Sequence, residues 1–295
     1  MSEYQYYEFV AVDRPLDPEE QSAVRSLSTR ARITDTSFVN EYEGGDFQGD
    51  PNQLMERYYD AHLYLANWGS RRVMLRLPHE LLSVETAARY CVDDQVTAWQ
   101  SGDHLILDLT SEDEDADGSW DFEPEGTLSA IIGVRDEVAA GDHRPLYLAW
   151  LAAYGTWERD EDAFGDDTED EREPPVPPGL GALTASQREL ATFLRLDSDL
   201  LAVAAEGSRP RSEVASEADR IAGWLTGLST AEKEQLLLRV ATGEGAMVRG
   251  EMLRRFWGDS SAAAPGSPDL SGPDAASART VGELLDGAAA RRAAR

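Results

Sequence analysis

The stretch from Glu158 to Glu173 carries ten acidic and two basic side chains and runs straight into Pro174-Pro175-Val176-Pro177-Pro178-Gly179. Like charges at this density repel one another, and prolines lack the backbone N–H that a helix or a ladder needs. No regular element is expected to cross this stretch, so the chain has to fold on either side of it. The reading that follows is an α+β domain over 1–157, an acidic and proline-rich linker over 158–179 and an all-α domain over 180–258. A flexible linker over 259–278 and a C-terminal helix over 279–295 complete the chain.

Before the break, strand-like and helix-like pieces alternate. Tyr4 to Val12 is aromatic and β-branched, as a strand should be, and stops at Asp13-Arg14-Pro15. Asp17-Pro18-Glu19-Glu20 then supplies an N-cap, a proline at the first helical position and the glutamate of a capping box. Ile33 to Tyr42 reads as a second strand, Asp50-Pro51 opens a second helix, and Ala61 to Ala66 and Arg72 to Leu77 read as further strands. Ser83 caps a short helix, and Val96 to Gln100 with His104 to Leu109, joined by Ser101-Gly102-Asp103, make a hairpin. Thr127 to Ala140 and Pro145 to Trp157 read as helices closing this part. Helices interleaved with strands and ending in an antiparallel hairpin predict an N-terminal mixed or antiparallel sheet. The glycine-rich turn of a dinucleotide fold is missing, since Gly44-Gly45 is followed by Asp46 and Asp50, which would repel a phosphate.

After the break every segment reads as helix. Thr184-Ala185-Ser186-Gln187 and Ser229-Thr230-Ala231-Glu232 are capping boxes, Asp197 caps Leu200 to Ala205, and Ser212 precedes Val214, Ile221, Trp224 and Leu225. Asp259 to Ala278, rich in Ser, Ala, Pro and Gly, separates these from a final helix that Thr280 to Glu283 caps and that ends in Arg291, Arg292 and Arg295.

Charge narrows the function classes. The 295 residues hold 56 Asp and Glu against 27 Lys and Arg, a net charge of -29, so the averaged field repels nucleic acid and anionic membrane surfaces. A basic protein partner, or solubility alone, accounts for the charge. No run of about 18 apolar residues and no basic leader followed by an apolar stretch is present. Cys91, the single cysteine, excludes an intrachain disulfide, and the expected location is the cytoplasm.

Few residues suggest chemistry. His62, His79, His104 and His143 show no metal-ligand spacing, no Gly-x-Ser-x-Gly elbow occurs, and Cys91 has no neighbouring base. The hairpin gathers Asp93, Asp94, Asp103, His104 and Asp108, the residue types that a metal-dependent hydrolase of phosphoesters or nucleotides would use. Alternation puts His104, Ile106 and Asp108 on one face of a strand, which also reads as the solvent face of an edge hairpin. Tyr4, Tyr6, Tyr7, Phe9, Tyr42, Phe47, Tyr58, Tyr59, Tyr64, Trp68 and Trp99 could line the pocket of a small-molecule sensor or form a core. From Ser111 to Glu125 eight acidic and no basic residues surround Trp120 and Phe122, so Asp113, Glu114, Asp115, Trp120 and Phe122 are candidates for holding a partner. Trp224 joins them: with Ile221, Leu225 and Leu228 it forms one apolar helical stripe, either core or docking face.

The segments YEFVAVDRPL, SFVNEYEGGDFQGDP and PPGLGALTASQRELATFLRLDSDLLAVAA resemble a group of bacterial proteins, over most of residues 4 to 257. The resemblance implies a shared architecture and brings no activity, catalytic residue or cofactor with it. It also implies that the last helix runs on into a longer charged tail, so that part of a contact surface would lie past Arg295. The expectation is therefore a non-enzymatic, acidic interaction or adaptor protein of a cytosolic multi-protein system, with the hydrolase and the sensor as alternatives and no cofactor.

Overall fold

Side-chain alternation along β1 (Tyr4–Val10) decides the architecture, because Tyr6 on one face and Tyr7 and Phe9 on the other are all buried and both faces must therefore be covered. The computed structural model describes residues 3–45, 47–113, 124–155, 170–210, 217–241, 248, 251–252, 255–256 and 278–295. Six further strands join β1: β2 (Arg32–Ile33), β3 (Ser37–Glu43), β4 (Ala61–Ala66), β5 (Arg71–Pro78), β6 (Val96–Ser101) and β7 (His104–Ser111). They form one seven-stranded sheet of order β2-β3-β1-β4-β5-β7-β6, and every pairing is antiparallel. The helices whose bounds lie within the described residues are α1 (Pro18–Arg25), α2 (Pro51–Arg57), α3 (Val84–Ala88), α4 (Thr127–Ile131), α5 (Gly133–Ala139), α6 (Arg144–Gly155), α7 (Ala185–Phe193), α8 (Ser198–Glu206), α9 (Glu217–Gly227), α10 (Thr230–Arg239) and α11 (Val281–Ala293). The fold is α+β, with the sheet in the N-terminal half and helices in the C-terminal region.

One sheet face presents Tyr6, Leu63, Leu75 and Leu107 to a continuous core that takes in side chains of α4, α5, α6, α7, α8 and α11. Its centre is α6, whose side chains from Leu146 to Tyr154 are all buried, as expected of a helix apolar on every side. The other face presents Tyr7, Phe9, Phe38, Met74 and Ile106 to α1 and α2. Local signals place the helix starts: Asp17 accepts from the Glu19 and Glu20 N–H groups while Glu20 returns to the Asp17 N–H, a cap worth about 1 kcal/mol. Thr184, Ser229 and Thr280 form the same box.

Two expectations change, and a third gains detail. The strand read over Ile33 to Tyr42 is two strands, because Thr34 closes a tight turn through its N–H to the Ser37 carbonyl and its hydroxyl to the Ser37 hydroxyl. The helix read over Thr127 to Ala140 breaks at Ile132 into α4 and α5. The spacer read over 158–179 is, in its described part from 170 onward, seated on the helices. The Glu173 N–H donates to the Arg279 carbonyl, the Tyr90 hydroxyl to the Pro175 carbonyl, the Ser208 hydroxyl to the Pro177 carbonyl and Arg144 to the Gly179 carbonyl. Prolines lack a donor yet keep an acceptor, and it is the acceptors that are used here.

The end of α7 shows how helix and sheet are joined. Arg195 sits in the left-handed region at φ 57, where glycine is the usual residue, as the Leu196 N–H closes back on the Ala191 carbonyl. Its guanidinium offsets the strain by donating to the carbonyls of Ser111 and Gly69, fastening α7 to β7 and the β4–β5 turn.

Candidate functional site

The hairpin carboxylates do not converge. Asp93 and Asp94 are exposed before β6 and Asp103 is exposed after it, so about 20 Å of strand separates them. Asp108 faces α2, not solvent: Arg72 holds both of its oxygens, with Nε to Oδ1 at 2.8 Å and Nη2 to Oδ2 at 2.7 Å, and Ile106 beside it is buried. The β6–β7 hairpin does lie at the sheet edge, as read, but its Ile106–Asp108 face is not a solvent face, since α2 covers it. Among the described residues no group of three or more His, Cys, Asp or Glu side chains is placed to hold a metal ion. Burial pushes the Cys91 thiol up, away from the thiolate a nucleophile needs.

The strongest charge constellation is one that spacing in the sequence does not reveal. Asp60, just ahead of β4, is buried and accepts from the Val12 and Asp13 N–H groups at 2.7 and 2.9 Å through Oδ2 and from Arg76 Nε and Nη2 at 3.1 and 2.7 Å through Oδ1. Arg135 of α5 donates from Nε to the Arg76 carbonyl and from Nη2 to Asp13 Oδ2, both at 2.6 Å. Burial alone would raise the Asp60 carboxyl, but Arg135, Arg76 and the Asp13 N–H outweigh it and hold it below the usual carboxylate range. Both oxygens are committed to partners within the protein. The quartet ties the loop after β1 to β4, β5 and α5 and leaves no group poised for a substrate. His104 lies at its margin, its imidazole pushed down by burial and by Arg76.

The aromatic residues divide between the two sheet faces. On the α1–α2 face Phe9 stacks on His62 with ring centres 3.9 Å apart and meets Phe38 and Tyr59 at 5.7 and 5.4 Å, so protein side chains occupy these ring faces. His62 Nδ1 lies 2.9 Å from the Glu8 carbonyl, which accepts only, so Nδ1 carries the proton. Nε2 is buried with no hydrogen-bond partner among the described residues, and burial pushes the imidazole pKa down to about 3. Trp99 points its Nε1–H at Glu56, and Trp68 is exposed on the β4–β5 turn. These placements describe a packed face.

Of the partner candidates, Glu114, Asp115, Trp120 and Phe122 lie outside the described residues; Asp113 faces Arg195 at 3.8 Å. Trp224 is half-buried, its indole edge-on to the buried Phe256 at 5.9 Å, and Ile221, Leu225 and Leu228 are half-buried with it. Trp224 is thus turned toward Phe256, while Ile221, Leu225 and Leu228 each keep part of their surface in solvent.

Among the described residues, adjacent exposed apolar side chains occur at the end of α10. Leu237, Leu238 and Val240 are 69%, 64% and 47% exposed, while Leu236 just before them is buried. Basic groups of this part of the chain are engaged with partners of their own chain: Lys233 donates to the Thr226 carbonyl, Arg239 pairs with Glu251 and Arg255 with Glu232. Exposed Glu234, one turn before Leu237 and Leu238, is the charge this face presents. The signal for it was in the sequence, because consecutive leucines step by about 100° around a helix and Leu236-Leu237-Leu238 cannot all face one core. Compared with known proteins, the chain matches no family model, no curated protein and no solved structure. No helix among the described residues is long and apolar enough to cross a membrane.

Proposed function

We propose that this chain is a non-enzymatic adaptor of the cytoplasm that holds a partner protein against the outward face of α10. The observation that carries the reading is the group Leu237, Leu238 and Val240, three large apolar side chains left in water on one short helix and its C-cap. Single exposed apolar residues need no explanation, but adjacent ones on a strongly charged protein keep an unfavourable surface that a partner would remove. A net charge of -29 and Glu234 at the margin favour a partner whose apolar face is flanked by Lys or Arg.

The test is Leu237→Glu combined with Leu238→Glu. Exposed substitutions of this kind change stability by no more than about 0.5 kcal/mol each, so thermal unfolding should hardly move. Capture of the partner from the source cells at low ionic strength should fall to background. Undiminished capture by the folded double variant would defeat the reading.

A further inference from the structure

Helix α11 carries basic residues onto an acidic surface of its own chain. It lies antiparallel to α8: Arg279, just before its start, donates to the Val203 and Ala204 carbonyls near the end of α8, while Arg295 at its far end reaches Asp199 near the beginning. The apolar contact is narrow, with Val281, Leu284 and Ala288 buried, and Gly287 lies so close to Val203 that an added Cβ would fall 2.9 Å from its Cγ1. Backbone hydrogen bonds from the Glu173 N–H to the Arg279 carbonyl and from the Val281 N–H to the Glu171 carbonyl hold its start, and charge supplies the rest. Arg279 grips Glu173 with Nε and Nη2 at 2.8 and 2.7 Å, Arg295 meets Asp199 at 2.7 Å, Arg291 meets Asp199 and Glu206 at 3.6 and 3.3 Å, and Arg292 meets Asp197 at 3.6 Å.

The two sides of this contact differ in a telling way. The Asp199 side chain is only 4% exposed, yet the arginines that neutralise it, Arg291 and Arg295, are 47% and 68% exposed. Asp199 and Glu173 are built into the body, whereas Arg291, Arg292 and Arg295 stand on the exposed side of α11, where salt would screen their ion pairs. From these features we infer that α11 is a displaceable latch, and that the groove on α8 takes a basic amphipathic helix from a partner protein in its place. The groove specifies that occupant: a small residue opposite Val203, apolar residues one turn apart, and Arg or Lys facing Asp197, Asp199, Glu206 and Glu173. This surface is separate from the α10 face and does not depend on it.

Hydrogen exchange on the full chain tests the latch. Amides of α11 should exchange at least about tenfold faster than those of β5 and β7, through an opening of their own, and faster again when salt is raised to about 0.5 M. A labelled synthetic peptide of residues 278–295 should bind the full chain saturably and bind Leu284→Asp, whose latch is weakened, at least about tenfold more tightly. The same peptide with its arginines changed to glutamate should not bind. If Leu284→Asp does not fold, the unaltered chain decides: α11 amides that exchange only with global unfolding, or a basic peptide that binds no better than its acidic counterpart, overturn the inference.

Discussion

Asp60→Ala is expected to destabilise the protein by about 4 kcal/mol, the range found when one member of a buried ion pair is removed. The substitution leaves Arg76 without its main counter-charge and withdraws the acceptor of the Val12 and Asp13 N–H groups, all beneath the sheet end that α5 covers. Arg135 retains Asp13, so the damage should concentrate on Arg76 and the loop after β1. Asp60→Asn, which keeps an acceptor, should cost less. Adding Arg76→Met to Asp60→Ala should restore part of the loss, because the stranded charge is then gone and the two effects are not additive. Urea unfolding of the four proteins measures this. A change within about 0.5 kcal/mol for Asp60→Ala would show that the quartet is not the fastening described.

Acid should expose His62. Its folded pKa is pushed from 6.5 down to about 3, so between those values the unfolded chain binds a proton that the folded chain refuses. Stability from this group is therefore complete above pH 6.5 and is lost as pH falls through the window to about 3. Each pH unit is worth about 1.4 kcal/mol, which gives about 2 kcal/mol lost at pH 5 and between 4 and 5 kcal/mol by the lower limit. His104 and His143 are pushed the same way by burial, while Glu8 and Glu137 are pushed up by burial and oppose them. The contribution of His62 is thus read as a difference. His62→Phe keeps a ring on Phe9 and has nothing to protonate, so its unfolding free energy should fall less than that of the unaltered protein between pH 7.5 and 5, by about 2 kcal/mol. Equal pH dependence of the two would contradict the account.

What could be read from the chain in advance follows the range of the forces involved. Asp17, Ser83, Thr184, Asp197, Ser229 and Thr280 cap the helices they were expected to cap, because a cap is settled within about four residues. The β6–β7 hairpin was visible for the same reason, with Gly102 at φ 57 in its turn. Strand order was not, and with it went the surroundings of each strand: Asp108 looked exposed from its own strand and is held by Arg72, which is 36 positions away in the chain. Asp13 and Arg135 are 122 positions apart, and nothing near either one announces the other. Residues 170–179 hold no helix or strand, as their composition predicts, yet irregular backbone docks well when the neighbours supply donors. The α10 face could have been found from three adjacent leucines on a short helix.

The adaptor reading is tested most directly at position 238. A photo-crosslinking phenylalanine analogue placed there, irradiated in the cells that make the protein, should give one dominant adduct with a protein that carries an apolar helical face flanked by basic residues. The same analogue at exposed Gln100 on β6 should give none of that adduct. No adduct from position 238, or the same set of adducts from both positions, would contradict the claim that α10 is where this protein meets its partner.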